Sequence, residues 1–427
     1  MRIAIIASGS RGDVEPYVAL GKGLQAAGHV VRLVTHWDFE SLVTSHGVDF
    51  WPVAGSVQDV AESMAALIEN GNFLAILARM GKEAQRGALA LAGAGLAACQ
   101  GMDLVVAGIG GLYIGIALAE KLGLPLLQAY YIPFTPTRAY PAFVIPRPPA
   151  WLGTLPNRPS YQVARQMMWQ AFRSADKMAR REVLGLPAAP FFGPFNSECV
   201  RGQPILYGYS PAVIPPPADW DADTHVTGYW FLDPAEDWTP PLALLDFLHE
   251  GPPPVYVGFG SMSSRKPAET ANLILAALAH TQQRGIIHAG WSGLQRADLP
   301  GSVMMVDAIP FSWLFPRVAA VVHHGGAGTT AAGLRAGVPS VVIPFFGDQP
   351  YWGQRIADFG VGPAPIPRKK LTAERLAQAI QTAVTDQAMR HRAAELGAKI
   401  RAEDGIARAV AVVEQMANRG SSNTERR

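Results

Sequence analysis

Residues 2–12 read RIAIIASGSRG, a short apolar run that enters a loop of glycine and serine. Residues 14–27 follow with helical periodicity, Gly28 ends that segment, and residues 30–35 form a second apolar run. Short apolar runs predict buried parallel strands, and the periodic segment between them predicts a crossover helix. The N-terminal stretch therefore predicts the first βαβ unit of a doubly wound α/β domain.

The same pattern returns in the second half of the chain, where residues 255–261 read VYVGFGS. Other apolar runs predict further strands at residues 104–107, 125–129, 286–289, 303–306, 319–323 and 340–343. Two such series predict an α/β fold of two Rossmann-like domains facing across a cleft, which is the natural ligand site. We expect domains at residues 1–218 and 219–405, followed by a C-terminal helix and flexible tail over residues 406–427.

The bulk composition is that of a globular cytoplasmic protein. The 427 residues exceed one ordinary core, and 36 Lys and Arg against 34 Asp and Glu give no basic field for nucleic acid. Cys99 and Cys199 are not spaced as CxxC, which fits a reducing compartment. The first apolar run is too short for a signal peptide, and the apolar stretch at residues 104–119 is too short to span a bilayer.

Residues 323–330, HHGGAGTT, follow a predicted strand and open a predicted helix. Small residues let the backbone close on a ligand, and the N–H groups and dipole of a helix start can hold a diphosphate without a metal. A tight structural turn is the alternative interpretation. The segment lacks the lysine of a Walker loop, and the histidines elsewhere show no metal-ligand spacing, so we predict no metal site.

Residues 321–355 also carry GVP at 337–339 and PFFGDQ at 344–349. This stretch resembles the donor-binding signature of the family that includes UDP-glucosyltransferases and antibiotic glycosyltransferases. The loop GSRGDVEP at 9–16 resembles the opening loop of the sterol and antibiotic branches. The resemblance implies a GT-B type fold with an N-terminal acceptor domain and a C-terminal nucleotide-sugar domain. It also implies a cytoplasmic, inverting and metal-independent transferase without a cofactor.

The implied reaction moves a sugar, with glucose expected, from a UDP-sugar to a hydroxyl of an apolar acceptor such as a sterol. A dTDP-sugar donor, or a polyketide or flavonoid acceptor, stays open. A non-catalytic sugar-nucleotide-binding partner of another transferase is the alternative from a different class. A dinucleotide-dependent oxidoreductase is disfavoured because the first loop lacks GxGxxG. The second strand also ends in Thr35 and His36, with no acidic residue placed to bind a ribose 2′-OH.

The resemblance implies a set of donor-binding residues in both halves: Ser10, Arg11, Gly12, Ser261, Trp291, Ile309, His324, Gly326, Gly328, Thr329, Asp348 and Gln349. In the family, positions matching His324 and the residues after it contact the diphosphate, and those matching Asp348 and Gln349 bind sugar hydroxyls. The tryptophan that often stacks on uracil has no counterpart near residues 307–310. Trp291 is the candidate for stacking on the base in its place, and an ordinary packing role for Trp291 is an equal alternative.

Asp13 is the candidate general base, because no histidine lies within residues 8–16 and the similar branches carry Asp there. A carboxylate with a pKa near 4 suffices only if the bond to the diphosphate breaks ahead of proton transfer. Asp13 is also a candidate N-cap for a helix beginning at Val14. One base opposite the leaving group implies inversion, since Glu15, the only close acid, projects from another helix face.

Two further surfaces are candidates for contact with the acceptor or with a membrane. His36 and Trp37, and the aromatic residues from Tyr130 to Trp151, suit a flat apolar acceptor, although packing is an alternative. A helix within residues 160–185 carries a row of basic residues that predicts weak peripheral membrane contact, with a solvated face as the alternative. The row consists of Arg165, Arg173, Lys177, Arg180 and Arg181.

Overall fold

The structure, a computed structural model, describes residues 1–70, 72–145, 148–260, 267–289 and 299–424. They form two compact units. The first unit holds residues 1–57 and 77–232 and the segment from 403 onward, and the second holds residues 58–76 and 233–402. The units are not simple halves of the sequence, because one internal segment and the C-terminal segment each join the unit formed mainly by the other half. The functional division predicted at residues 218/219 and 405/406 stays a prediction.

Seven parallel strands form the sheet of the first unit, in the order β3-β2-β1-β4-β5-β6-β7. They are β1 Arg2–Ile6, β2 Val30–His36, β3 Asp49–Val53, β4 Leu104–Ala107, β5 Leu126–Tyr130, β6 Ile205–Tyr207 and β7 Thr224–Val226. Strands β4 and β5 are buried throughout, as is β1 after its first residue, which is why each reads as a continuous apolar run. The strand order reverses between β1 and β4.

Five parallel strands form the sheet of the second unit, in the order β10-β9-β8-β11-β12. They are β8 Val255–Gly258, β9 Gly285–His288, β10 Val303–Val306, β11 Ala320–His323 and β12 Ser340–Val342. Here the order reverses between β8 and β11. The predicted α/β class, with two doubly wound parallel sheets, is confirmed.

Helices connect these strands and flank both sheets. They are α1 Arg11–Ala26, α2 Glu40–Thr44, α3 Val57–Asn70, α4 Phe73–Ala98, α5 Leu112–Leu122, α6 Asn157–Met178, α7 Leu242–His249, α8 Pro267–His280, α9 Phe311–Leu314, α10 Ala327–Ala336, α11 Gln349–Asp358, α12 Ala373–Thr385, α13 Gln387–Arg401 and α14 Gly405–Thr424. Along the part of the chain that the structure describes, no helix combines the length and the apolar character that a bilayer span requires.

Helix α14 completes the core of the first unit by packing on α1. A Cβ atom on Gly23 would lie 2.1 Å from Ile406 Cγ2, so only glycine allows this approach. Val410 and Val413 are buried in the same core. The helix continues through Thr424 and so takes up most of the 406–427 segment for which a helix and a flexible tail were predicted. Extending an existing helix by one residue is far less costly than nucleating one.

The segment of residues 58–76 joins the second unit through apolar contacts. Met64, Ile68 and Ile76 are buried in one cluster, and Phe345 and Phe346 pack against it. These two phenylalanines belong to the PFFGDQ stretch, so the N-terminal half of the chain supports the loop in which Asp348 and Gln349 lie.

The basic residues on α6 and on the turn after it do not form one solvent-facing surface. Arg165 donates hydrogen bonds to Phe134 O, and Arg180 is 2% exposed and pairs with Asp176 and Glu120. The prediction of a five-cation face is therefore wrong for these two residues, because their guanidinium groups satisfy polar groups inside the unit.

Candidate active site

The predicted catalytic residue Asp13 and the predicted phosphate contact His324 follow strands next to the two points where the strand order reverses. In open α/β sheets, ligands bind beyond the carboxyl ends of the strands at such points. In the first unit, a Cβ atom on Gly110, after β4, would lie 1.7 Å from Ser8 O, after β1, so the two loops touch. In the second unit, a Cβ atom on Gly260, after β8, would lie 3.3 Å from His324 Cε1, after β11. Each unit therefore brings its two switch-point loops together.

Asp13 lies in the first turn of α1 with its carboxylate folded back toward the helix start. Ser10 is the N-cap, with an extended backbone, and the helix begins at Arg11. The Ser10 N–H and hydroxyl donate to Asp13 Oδ2 at 2.6 and 2.7 Å, and the Tyr131 hydroxyl donates to Asp13 Oδ1. The interpretation of Asp13 as an N-cap is wrong. Asp13 is instead the third residue of the helix, and its side chain accepts hydrogen bonds from the capping residue Ser10, as in a capping box.

Burial raises the pKa of the Asp13 carboxyl above its ordinary value of 3.8, although the hydrogen bonds from Tyr131 and Ser10 act in the opposite direction. A carboxylate with a raised pKa accepts a proton more readily than a free aspartate does. Gly9 makes the arrangement sterically possible. Its φ is +133°, and a Cβ atom there would lie 2.5 Å from Asp13 Oδ2.

Other polar residues around this loop are held by internal partners. The Ser8 hydroxyl lies 3.0 Å from His36 Nε2, and burial lowers the pKa of His36. The Tyr17 hydroxyl donates to Ala129 O at 2.6 Å. Arg11 forms a surface ion pair with Glu15 at 2.7 Å, so the Glu15 carboxylate is engaged on an outer face of α1. This arrangement agrees with the expectation that Glu15 projects from another face than Asp13.

Among the aromatic residues predicted near the acceptor, the two neighbouring tyrosines differ. Tyr130 is 1% exposed and donates to Gln128 Oε1, so it is a core residue. Tyr131 contacts Asp13, a partner that the sequence analysis missed. Trp37 is half-exposed and packs edge-on against Phe50, and its role toward an acceptor stays a prediction.

Helix α10 carries the candidate site of the second unit. Gly326 is its N-cap, and its first turn carries no acidic residue. Thr330 N–H donates to Gly326 O at 2.9 Å, so the amides before Thr330 are those that a helix start leaves without intrahelical acceptors. Gly328 is exposed, and no atom of the described residues lies within 4 Å of the position a Cβ would take there. The positive end of this helix is therefore open to an anion.

The His324 ring lies between two glycines, with Gly260 on one side and Gly326 on the other. A Cβ atom on Gly326 would lie 2.5 Å from His324 Nε2. Burial lowers the pKa of His324 to about 4, so the imidazole is neutral near pH 7. Among the residues described, Nδ1 of His324 is buried and has no hydrogen-bond partner. A neutral imidazole carries one N–H, which can donate to a phosphate oxygen that reaches the ring.

His323, by contrast, has a structural place. It is fully buried, its Nδ1 accepts the Gly325 N–H at 3.1 Å, and burial lowers its pKa to about 3. Gly325 has a φ of +90°, and a Cβ atom there would lie 2.7 Å from Val342 Cγ1. His323 and Gly325 thus shape the turn, and this turn places His324 and Gly326 next to each other.

Asp348 and Gln349 are held by their own loop and helix. Gln349 is 4% exposed, and its Oε1 accepts the N–H groups of Phe345 and Phe346 at 2.8 and 3.2 Å. Asp348 accepts from Trp352 Nε1 at 2.8 Å. Gln349 therefore orders the loop preceding α11, and the sugar contacts of this pair stay predictions.

Four further residues were predicted to bind the sugar-nucleotide donor. Ser261 and Trp291 lie outside the described residues. Ile309 packs against the apolar cluster next to β10, and Thr329 lies partly exposed in the first turn of α10. The structure describes no group of three or more His, Cys, Asp or Glu side chains that could hold a metal ion in the ranges given above.

Comparison with known proteins identifies the family. Residues 3–141 match the model of the glycosyltransferase family 28 N-terminal domain, and residues 272–416 match that of the erythromycin biosynthesis protein CIII-like C-terminal domain. A sterol 3-beta-glucosyltransferase of Arabidopsis thaliana is 38% identical over 96% of this chain and 67% of its own length. Sterol 3-beta-glucosyltransferases of Aspergillus fumigatus and Cryptococcus neoformans are 39% and 38% identical over 97% of this chain. The chain spans only 30% and 27% of those two fungal proteins.

Solved structures share the fold. The calicheamicin glycosyltransferase CalG4 superposes with a TM-score of 0.68 at 20% identity, covering 98% of each chain. The glycosyltransferase VinC, solved in complex with dTDP, also reaches 0.68 at 21% identity, covering 98% of this chain and all of its own. Fold, family models and sequence identity over nearly the whole chain agree, and the chain belongs to the glycosyltransferase family that includes the sterol 3-beta-glucosyltransferases.

Proposed function

We propose that this protein is an inverting, metal-independent glucosyltransferase that moves glucose from UDP-glucose to a hydroxyl of an apolar acceptor, in the first place a sterol. The single observation that carries the proposal is the Asp13 carboxylate, held by Ser10 and Tyr131 with a raised pKa at a switch point. Membership of the family supports glucose and a sterol, because relatives named for that reaction are 38–39% identical to the chain.

The donor is held, in this proposal, by the start of α10. The unpaired amides of its first turn and the helix dipole bind the diphosphate, and they absorb the charge that develops when the sugar leaves. Neutral His324 adds one hydrogen bond to a phosphate oxygen. No metal is required, because preorganised N–H groups supply the stabilisation that a cation gives elsewhere.

Asp13 takes the proton of the acceptor hydroxyl. The acceptor oxygen forms a bond to the anomeric carbon while the bond from that carbon to the diphosphate breaks, and UDP departs. Attack on the face opposite the leaving group inverts the configuration, so an α-linked donor gives a β-linked product. Retention through a covalent intermediate needs a carboxylate nucleophile, and Glu15, the nearby candidate, is engaged with Arg11.

The test is turnover of the purified protein with UDP-glucose or dTDP-glucose and a choice of acceptors, namely a sterol, a flavonoid and a polyketide. Mass spectrometry should show a steryl glucoside, with release of one UDP per glucoside. Excess EDTA should leave the rate unchanged, and loss of activity in EDTA would overturn the metal-free assignment. Binding of UDP-glucose without transfer to any acceptor would favour the non-catalytic partner.

Binding of UDP-glucose should be nearly independent of pH between about 5.5 and 8 at constant ionic strength. The pKa of His324 is lowered to about 4, so the ring carries no charge over this range and its hydrogen bond does not change. UDP-glucose is the suitable ligand, since its diphosphate has no terminal monoester that titrates near pH 6. Isothermal titration calorimetry at several pH values measures this. A tenfold gain in affinity from pH 7.5 to 5.5 would show that His324 binds as a cation.

The proposal includes a cytoplasmic location and weak contact with a membrane that contains the acceptor. Cys99 and Cys199 are free thiols, as a reducing compartment favours. Phe191 and Phe192 are 56% and 74% exposed, and the Arg173 guanidinium lies 5.1 Å from the Phe191 ring centre. Exposed aromatic rings beside a cation suit an anionic interface. Flotation with phosphatidylserine vesicles should carry part of the protein upward, and Phe192→Ser should reduce that fraction.

A further inference from the structure

The hydrogen bonds around Asp13 leave one defined position on its carboxylate. An ionised carboxylate offers about four lone-pair positions, two on each oxygen. The Ser10 N–H and the Ser10 hydroxyl both donate to Oδ2, and the Tyr131 hydroxyl donates to Oδ1. These three donors fill three of the four positions, so among the described residues one lone pair, on Oδ1, is left for another donor.

The fold fixes both donors in place. Tyr131 directly follows β5, and the residue before it is buried, with Tyr130 O accepting the Gly208 N–H at 2.7 Å. Ser10 is fixed as the N-cap of α1, and the Asp13 N–H donates to Ser10 O at 2.8 Å. The carboxylate is therefore held between the start of α1 and the end of β5, two elements of the same unit.

We propose that Tyr131 is a positioning residue that directs the acceptor hydroxyl to the remaining lone pair of Asp13 Oδ1. The inference rests on the proposed function, since it assigns a place to the acceptor of that reaction. The acceptor proton moves to Oδ1 as the acceptor oxygen bonds to the anomeric carbon and the bond from that carbon to the diphosphate breaks, releasing UDP. Tyr131 keeps its own proton. By occupying the other lone pair of Oδ1, Tyr131 excludes a second orientation of the acceptor and a competing water.

The other titratable groups near Asp13 have partners that a change at Tyr131 leaves in place. Tyr17, on α1, donates to Ala129 O, and His36, on β2, is bonded to Ser8. Arg11 and Glu15 pair with each other at the surface. Removing the Tyr131 hydroxyl therefore changes one hydrogen bond to the carboxylate. Losing a donor to the charged form raises the pKa of a carboxyl group.

The first experiment needs no substrate. Protein labelled with ¹³C at Asp Cγ is titrated by NMR as wild type and as Tyr131→Phe, with Asp13→Asn identifying the resonance. Tyr113→Phe is the matched control, because that hydroxyl is buried without a partner among the described residues. Asp13 should titrate above free aspartate in wild type and in the control, and at still higher pH in Tyr131→Phe. Coincident titrations in wild type and Tyr131→Phe would overturn the inference.

Ser10→Ala keeps the inference testable should Tyr131→Phe fail to fold. It removes the hydroxyl donor from Oδ2, so it is also expected to move the Asp13 titration to higher pH. A titration unchanged from wild type would count against the lone-pair argument just as directly.

Turnover provides the second experiment. In Tyr131→Phe, kcat should fall about tenfold at neutral pH while KM for UDP-glucose stays within about twofold, because only the acceptor is misplaced. In the pH profile of kcat/KM, the fall on the acid side should move to higher pH. With an acceptor that carries two hydroxyl groups, the variant should glucosylate the two positions less selectively than wild type does. An unchanged pH profile and unchanged selectivity would overturn the role of Tyr131. If wild type transfers no sugar, the proposed function fails, while the NMR titration still decides whether Tyr131 holds Asp13.

Discussion

Asp13→Asn is expected to lower kcat for sugar transfer by about a thousandfold, with KM for UDP-glucose within about twofold of wild type. The amide has the shape of the carboxylate and can still accept a hydrogen bond from the Ser10 N–H, but it cannot take the acceptor proton. Burial raises the pKa of Asp13, so the wild-type side chain is a better base than an exposed aspartate. Steady-state kinetics with a saturating acceptor measures the loss.

Glu15→Gln is the matched control for this variant. It removes a carboxylate from the same helix, but that carboxylate pairs with Arg11 at the surface. We expect its kcat to stay within about twofold, since exposed ion pairs contribute little to stability. Full activity in Asp13→Asn would remove Asp13 from the mechanism, and a large loss in Glu15→Gln would reopen a retaining double displacement.

His324→Ala is expected to weaken UDP binding about 30-fold, which corresponds to about 2 kcal/mol. A hydrogen bond to a charged phosphate in a partly buried site is worth this much, and the alanine leaves the helix start unchanged. Isothermal titration calorimetry at pH 7.5 gives the affinity directly. The remaining binding would come from the amides of the first turn of α10.

His249→Ala is the control, because His249 is an exposed residue at the end of α7 in the same unit. Its affinity for UDP should equal that of wild type. If His324→Ala also binds UDP as wild type does, the ring does not contact the diphosphate, and the site must be sought elsewhere.

The fold follows from the sequence wherever a strand is buried on both faces. Strands β1, β4 and β11 are continuous apolar runs for this reason, and their positions are predicted to within one residue or so. The sequence analysis missed β3, an edge strand that contains Pro52 and is largely half-exposed. It also missed β6 and β7, which have three residues each and give no periodic signal.

The candidate site was predictable where its residues are neighbours in sequence. His324 and Gly326 belong to one turn, so the motif itself indicates their proximity, which the structure confirms. The bond between Tyr131 and Asp13 joins residues 118 positions apart. The strands that precede them, β5 and β1, lie on either side of β4 in the sheet, and only this strand order brings the two loops together. The packing of residues 58–76 against Phe345 and Phe346 is likewise a tertiary contact without a local signal.

A crystal structure with UDP bound tests the central claim most directly. We predict the diphosphate at the start of α10, with its oxygens within hydrogen-bond distance of the amides from Gly326 to Thr329 and of a His324 ring nitrogen, and with no metal ion between them. A diphosphate bound at another place on the protein, or bound here only through a cation, would contradict the account.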